Sequence, residues 1–210
     1  MGKVSISKEL LNQLPLVKYT GDIYVVDKLS MVNSAVRQLR KFDVIGFDTE
    51  TRPSFKRGQM HKIALMQLST PNECFLFRLN QIGMPTVLHE FVCDSSRLKV
   101  GLSVHDDFKM LKRSFDIEPA GFEDVQELAQ QNCIVDISLQ KIFAILFGER
   151  ISKSQQLSNW EAETLTDAQK RYAAIDAWAC IKIHNLFASG MFNPEESPYY
   201  SIENDQQQTI

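Results

Sequence analysis

The chain has 210 residues, enough for one large domain with a substantial core. Its composition, 44% hydrophobic and 23% charged, is that of a globular protein and excludes a low-complexity or fibrous chain. A formal net charge of −3 argues against broad duplex binding but not against a short groove, where bound cations supply local positive charge.

No apolar run is long enough to span a bilayer, and Met1–Ile6 lacks the apolar core and cleavage site of a secretory signal. A cytoplasmic location without membrane association is therefore expected. Cys74, Cys93, Cys133 and Cys180 form no Cys-x-x-Cys pair and are expected to be reduced thiols, neither zinc ligands nor a redox motif.

Residues 7–14 carry Leu10, Leu11 and Leu14 at helical spacing and end at Pro15, which predicts a short helix packed on the core. Ile23–Val26 reads as a strand, and Met31, Ala35, Val36 and Leu39 mark a helix. The next strand, Val44–Glu50, is apolar until it ends in two carboxylates. Alternation along a strand places Asp48 and Glu50 on one face with Thr49 turned away. Like charges held that close are costly unless a cation or a proton relieves them. Thr51–Gln59 reads as a loop whose Phe55, Lys56 and Arg57 suit base stacking and phosphate contact.

His61–Ser69 and Glu73–Phe77, separated by Thr70-Pro71-Asn72, predict an antiparallel hairpin. A helix over 85–92 and a strand over 98–102 follow. From His105 the spacing is helical: Asp107 shares part of the buried side with Leu111, while Asp106 aligns with Lys109 and Arg113 on a polar stripe. Two more helices are expected over 122–131 and 136–147, the second stopped by Gly148, and the polar stretch 151–162 is expected to fold over a groove. Thr166 and Gln169 form a capping box for one long helix over 167–189. On that helix Tyr172 and Asp176 sit one turn apart in an apolar stripe, directed toward something polar inside or toward each other. The segment from Asn193 is polar and is expected to be mobile.

Asp48, Glu50, Asp107 and Asp176 are thus four acids at positions where burial penalises them, and a shared cation explains all four. Oxygen-only ligands favour magnesium or manganese over zinc.

Phe47-Asp48-Thr49-Glu50, then Val100 through Leu111, then Tyr172-Ala173-Ala174-Ile175-Asp176-Ala177 resemble, in order, the three motifs of the DEDDy 3′-5′ exonucleases. The likeness is to the RNase D and Werner-syndrome exonuclease branch, with Ser158-Asn159-Trp160 and Leu165-Thr166 also similar to it. The resemblance implies an α/β, RNase H-like fold, a mixed central sheet flanked by helices. It implies two divalent ions, Mg²⁺ or Mn²⁺, with Asp48, Glu50 and Asp176 at one, and Asp48 bridging to a second that Asp107 supports. Tyr172 would orient the attacking water, Thr49 would present backbone to the terminal nucleotide, and Phe55, Lys56, Arg57 and Phe108 complete the expected substrate contacts. Release of nucleoside 5′-monophosphates from single-stranded or recessed 3′ ends of DNA or RNA is the expected activity. A non-catalytic binding module of the same fold is the alternative. The expected division is a helical extension over 1–22, an exonuclease domain over 23–190 and a tail over 191–210, with a protein partner lending additional grip on substrate.

Overall fold

The structure, a computed structural model, describes residues 2–54 and 61–202, so the expected contacts Phe55, Lys56 and Arg57 lie outside the described residues. In chain order its main elements are β1 (Gly2–Val4), α1 (Lys8–Gln13), β2 (Asp22–Val26), α2 (Leu29–Leu39), β3 (Val44–Thr51), β4 (Ile63–Ser69), β5 (Glu73–Phe77) and α3 (Leu79–Ile82). They continue with α4 (Thr86–Val92), β6 (Leu98–Gly101), α5 (Val104–Phe115), β7 (Phe122–Asp124), α6 (Val125–Gln131), α7 (Leu139–Phe147), α8 (Asp167–Ala188) and β8 (Tyr200–Ile202).

Six strands form a mixed sheet in the order β2-β5-β4-β3-β6-β7. β3, β4 and β5 run antiparallel in succession, while β2 joins β5, and β6 joins β3, in parallel. Helices cover both faces, which is why every residue of the interior strand β4 is buried. Alternation along β3 sorts its side chains. Ile45 and Phe47 enter the core shared with α2, α4 and α5, and Val44 joins the one beneath α8. Asp48 and Glu50 are therefore delivered to the α8 side of the sheet. A register shift between Glu50 and Thr51 ends the regular pairing just beyond the acids.

Several boundaries differ from the sequence reading. The expected helix over 122–131 begins as β7, because Phe122 pairs with Lys99 and packs edge-on against Phe47 at 4.9 Å. Asp124 then caps α6, its side-chain carboxylate accepting the backbone N–H of Gln126. The helix expected from residue 136 starts at Leu139, capped by Ser138, and Ile137 is exposed ahead of it. Asp136 instead accepts from Ser5 Oγ, from the Ile6 N–H and from Lys141, fastening the N-terminal segment to α7. Nor does the segment after Asn193 behave as a mobile tail as far as Ile202. β8 pairs antiparallel with β1, and Phe192, Tyr199 and Tyr200 pack on the core that holds Val4 and Ile6. Its aromatic residues outweigh the polar ones around them.

Candidate active site

Asp48 and Glu50 come from the end of β3 and Asp176 from the middle of α8, and one ligand oxygen from each lies within 4.8 Å of the others. Asp176 is only 9% exposed, whereas Asp48 and Glu50 are half-buried at the mouth. Burial is the main reason all three resist ionisation, with mutual repulsion behind it for Asp48 and Glu50. Asp48 is held well above the usual carboxylate range and Glu50 is pushed up to about 9. Asp176 is pushed up to about 7, opposed by the Tyr172 hydroxyl that donates to it and by the charge of Lys153.

Tyr172 stands one helical turn before Asp176, its ring 6.0 Å from that of Trp160. Burial and the neighbouring carboxylates drive its own ionisation far above the ordinary phenol range, so the hydroxyl keeps its proton. Trp160 is completely buried in the stretch that precedes α8. That stretch is fastened from the sheet side by the buried Arg78 guanidinium, which donates to the carbonyls of Ala162 and Glu163. At the helix end the capping box closes as expected, and Gln169 Nε2 also donates to the Asn159 carbonyl at 3.2 Å.

Asp107 is close to the three acids but outside their group, and its carboxylate accepts the Thr49 hydroxyl. Thr49 thus reaches across the back of the acid strand to the helix carrying the fourth acid. Burial pushes Asp107 up to about 7, with the Thr49 bond working the other way. Asp106 lies on the exposed stripe and bonds Lys109 at 2.9 Å. The start of α5 is fixed by Asp124, which accepts from the N–H groups of Ser103 at 3.0 Å and Val104 at 3.1 Å. Ser103 adopts a left-handed φ of 54° at this corner. Phe108 is half-buried, with its ring edge-on to Phe122 at 4.9 Å, so part of it belongs to the core.

A cavity of about 290 Å³ opens over the three acids, Thr49 and Tyr172, and the 151–162 stretch does fold over it through Ile151, Ser152, Lys153 and Gln156. Lys153 was not singled out in the sequence, although a lone lysine in a stretch expected to cover an acidic groove was the available signal. Cys180 was also missed; its thiol lines the same cavity but donates to the Asp176 carbonyl at 3.3 Å. Three carboxylates converge without a histidine, each strongly penalised as an isolated ion. The donors fit a hard divalent cation, whose charge would offset that penalty.

Residues 23–190 match the family model described as 3′-5′ exonuclease. The chain is 29% identical over 193 residues to the mouse bifunctional 3′-5′ exonuclease/ATP-dependent helicase WRN, covering 87% of this chain and 14% of that protein. It is 27% identical to a 3′-5′ exonuclease of Arabidopsis thaliana, covering 86% of this chain and 68% of the relative. Among solved structures, the Aedes aegypti Nibbler EXO domain superposes with a TM-score of 0.74 at 21% identity, covering 86% of this chain and 96% of its own. Escherichia coli RNase D, an exoribonuclease involved in structured RNA processing, gives 0.71 at 24% identity, covering 79% and 44%. The α/β sheet and its flanking helices are thus the RNase H-like arrangement of exonuclease domains. This family is dependent on divalent metal, in keeping with the carboxylate group. With the matched span and the converging acids together, the chain belongs to the 3′-5′ exonuclease family.

Proposed function

We propose that this chain hydrolyses the terminal phosphodiester bond at single-stranded or recessed 3′ ends of DNA or RNA, releasing nucleoside 5′-monophosphates. The observation that carries the reading is the approach of Asp48, Glu50 and Asp176 within 4.8 Å beneath a cavity that Tyr172 also lines. Asp48, Glu50 and Asp176 would hold one cation, and Asp107 with Asp48 a second. Mg²⁺ or Mn²⁺, when bound, supplies activation of water and neutralises charge on the phosphate and the leaving oxygen.

The protein's own groups complete the chemistry. The protonated Tyr172 hydroxyl orients the attacking water by hydrogen bonding and does not serve as the base. Lys153, which lines the same cavity as the acids, favours a phosphate there. The Thr49 backbone and the open part of Phe108 are assigned to the terminal nucleotide, and Phe55, Lys56 and Arg57 are assigned to substrate by their residue types alone. Water oxygen bonds to phosphorus, the bond from phosphorus to the 3′ oxygen breaks, and the shortened strand leaves with a 3′-hydroxyl. The net charge of −3 supports reliance on a protein partner for additional grip.

The test is digestion of 5′-labelled single-stranded DNA and the matching RNA with Mg²⁺ or Mn²⁺, beside an Asp48→Ala, Glu50→Ala control. A metal-dependent ladder shortening from the 3′ end, absent in the control, is expected, and the two gels identify the preferred nucleic acid. Folded protein that cleaves neither substrate points instead to a binding module.

A further inference from the structure

Gln67 is the anomaly in the most buried strand of the sheet. It is 0% exposed, and neither its side-chain nitrogen nor its oxygen has a hydrogen-bond partner among the described residues. A buried amide left in that state is destabilising, so its presence calls for a reason.

Its position supplies one. In the antiparallel register Gln67 is directly opposite Asp48, and opposed residues project from the same face with Cβ atoms about 4.5–5.5 Å apart. Its other neighbours on that face offer the amide little. Leu76 opposes it on β5, and Leu65, two residues back along β4, is apolar as well. Ser69, two residues ahead, spends its hydroxyl on the carbonyls of Thr70 and Glu73. Above them α8 brings Ala173 and Ala174, which have no polar side chain. Asp48 is the acid that the register sets directly beside it. Gln67 is also missing from the cavity wall, so it stands behind Asp48, away from the space a cation and substrate would occupy.

We infer that Gln67 is a positioning residue for Asp48, its amide donating to the carboxylate oxygen that does not ligate once a cation is bound, thereby fixing which oxygen faces the cation. The inference rests on the metal-site reading given above. Partners that orient a ligating side chain in this manner are typically worth 10–100-fold in metal affinity or activity.

The test is the near-isosteric Gln67→Met, measured without and with metal. Mn²⁺ binding by calorimetry should weaken about tenfold. Thermal melting in EDTA should be unchanged or higher, because the substitution removes an unpaired polar group and leaves the volume nearly intact. A purely structural glutamine gives the reverse pattern, with a lower melting temperature in EDTA and unaltered affinity in the folded fraction. Unaltered Mn²⁺ affinity overturns the inference, and so does a Q67M chain that melts markedly lower in EDTA or fails to fold. Asp48→Ala separates the two levels of the argument. Wild-type protein that binds Mn²⁺ no better than D48A removes the metal-site reading and the inference with it. Tight wild-type binding, lost in D48A and intact in Q67M, overturns the role of Gln67 alone.

Discussion

Gly46 and Ala177 meet backbone to backbone: a Cβ placed on Gly46 would lie 2.0 Å from the Ala177 carbonyl oxygen. Gly46 stands two residues before Asp48, and Ala177 follows Asp176. The missing side chain is what lets α8 lie directly on β3 and bring its acid to the strand's acids. Gly46→Ala should therefore destabilise the fold by about 3 kcal/mol or more, beyond the usual range for overpacking, since the obstacle is backbone and cannot rotate away. Urea unfolding monitored by circular dichroism measures this, and a variant as stable as wild type would show that α8 can shift without cost.

The raised carboxyls set the pH dependence of the metal-free protein. A carboxyl whose folded pKa exceeds its unfolded value of about 4 binds its proton more tightly when folded. Stability is then fully present at low pH and is lost as pH rises through about 7 for Asp107 and Asp176 and about 9 for Glu50. In EDTA the melting temperature should fall by several degrees between about pH 5 and about pH 9. Saturating Mg²⁺ should remove most of that fall, because the cation takes the place of the protons. A flat profile in EDTA contradicts the geometry of the acid group.

For Tyr172→Phe the expected outcome is a fall of about 100-fold in kcat, at the low end for a group that handles the attacking water. Calorimetric Mn²⁺ affinity should persist, since the three acids remain. Undiminished turnover would take the hydroxyl out of the chemistry and leave it a structural bond to Asp176.

Asp106 and Asp107 adjoin in the sequence but face different surroundings. Asp107→Ala should abolish activity and Asp106→Ala should spare it, because Asp106 is exposed and bonds its exposed neighbour Lys109. Thr49→Val removes the hydroxyl that Asp107 accepts, so activity should drop while the fold loses about 1 kcal/mol, the usual worth of one hydrogen bond. Steady-state assays of the three variants side by side decide the matter. Equal losses at Asp106 and Asp107 would mean that helix register does not distinguish them.

Much of this site was legible because its acids interrupt periodic apolar patterns. Asp48 and Glu50 break a strand pattern, and Asp176 breaks a helix stripe. Helical spacing and the following Ser114-Phe115-Asp116-Ile117 both favoured Asp107 over Asp106. What stayed hidden depends on contacts distant in the chain. Nothing in Phe122-Glu123-Asp124 announces a strand until β6 lies beside it. The clamp of Arg78 on residues 162 and 163 joins two segments whose local sequences are unremarkable. Gln67 was visible as a polar residue inside an apolar run, but its register against Asp48 was not. The aromatic residues near the C-terminal end were overlooked because composition averages them with polar neighbours, whereas packing selects them individually.

The pairing of Gly2–Val4 with Tyr200–Ile202 brings the first and last of the described strands side by side. A short flexible linker could bridge them, and the chain could then be opened elsewhere without disturbing the acid cluster, for instance at the exposed Ser95–Ser96 corner between α4 and β6. The order in which the polypeptide visits its elements is in that sense separable from the active geometry. A circular permutant reopened at that corner should keep its nuclease site, and by the same logic the domain could be carried as an insert within a loop of a larger host protein.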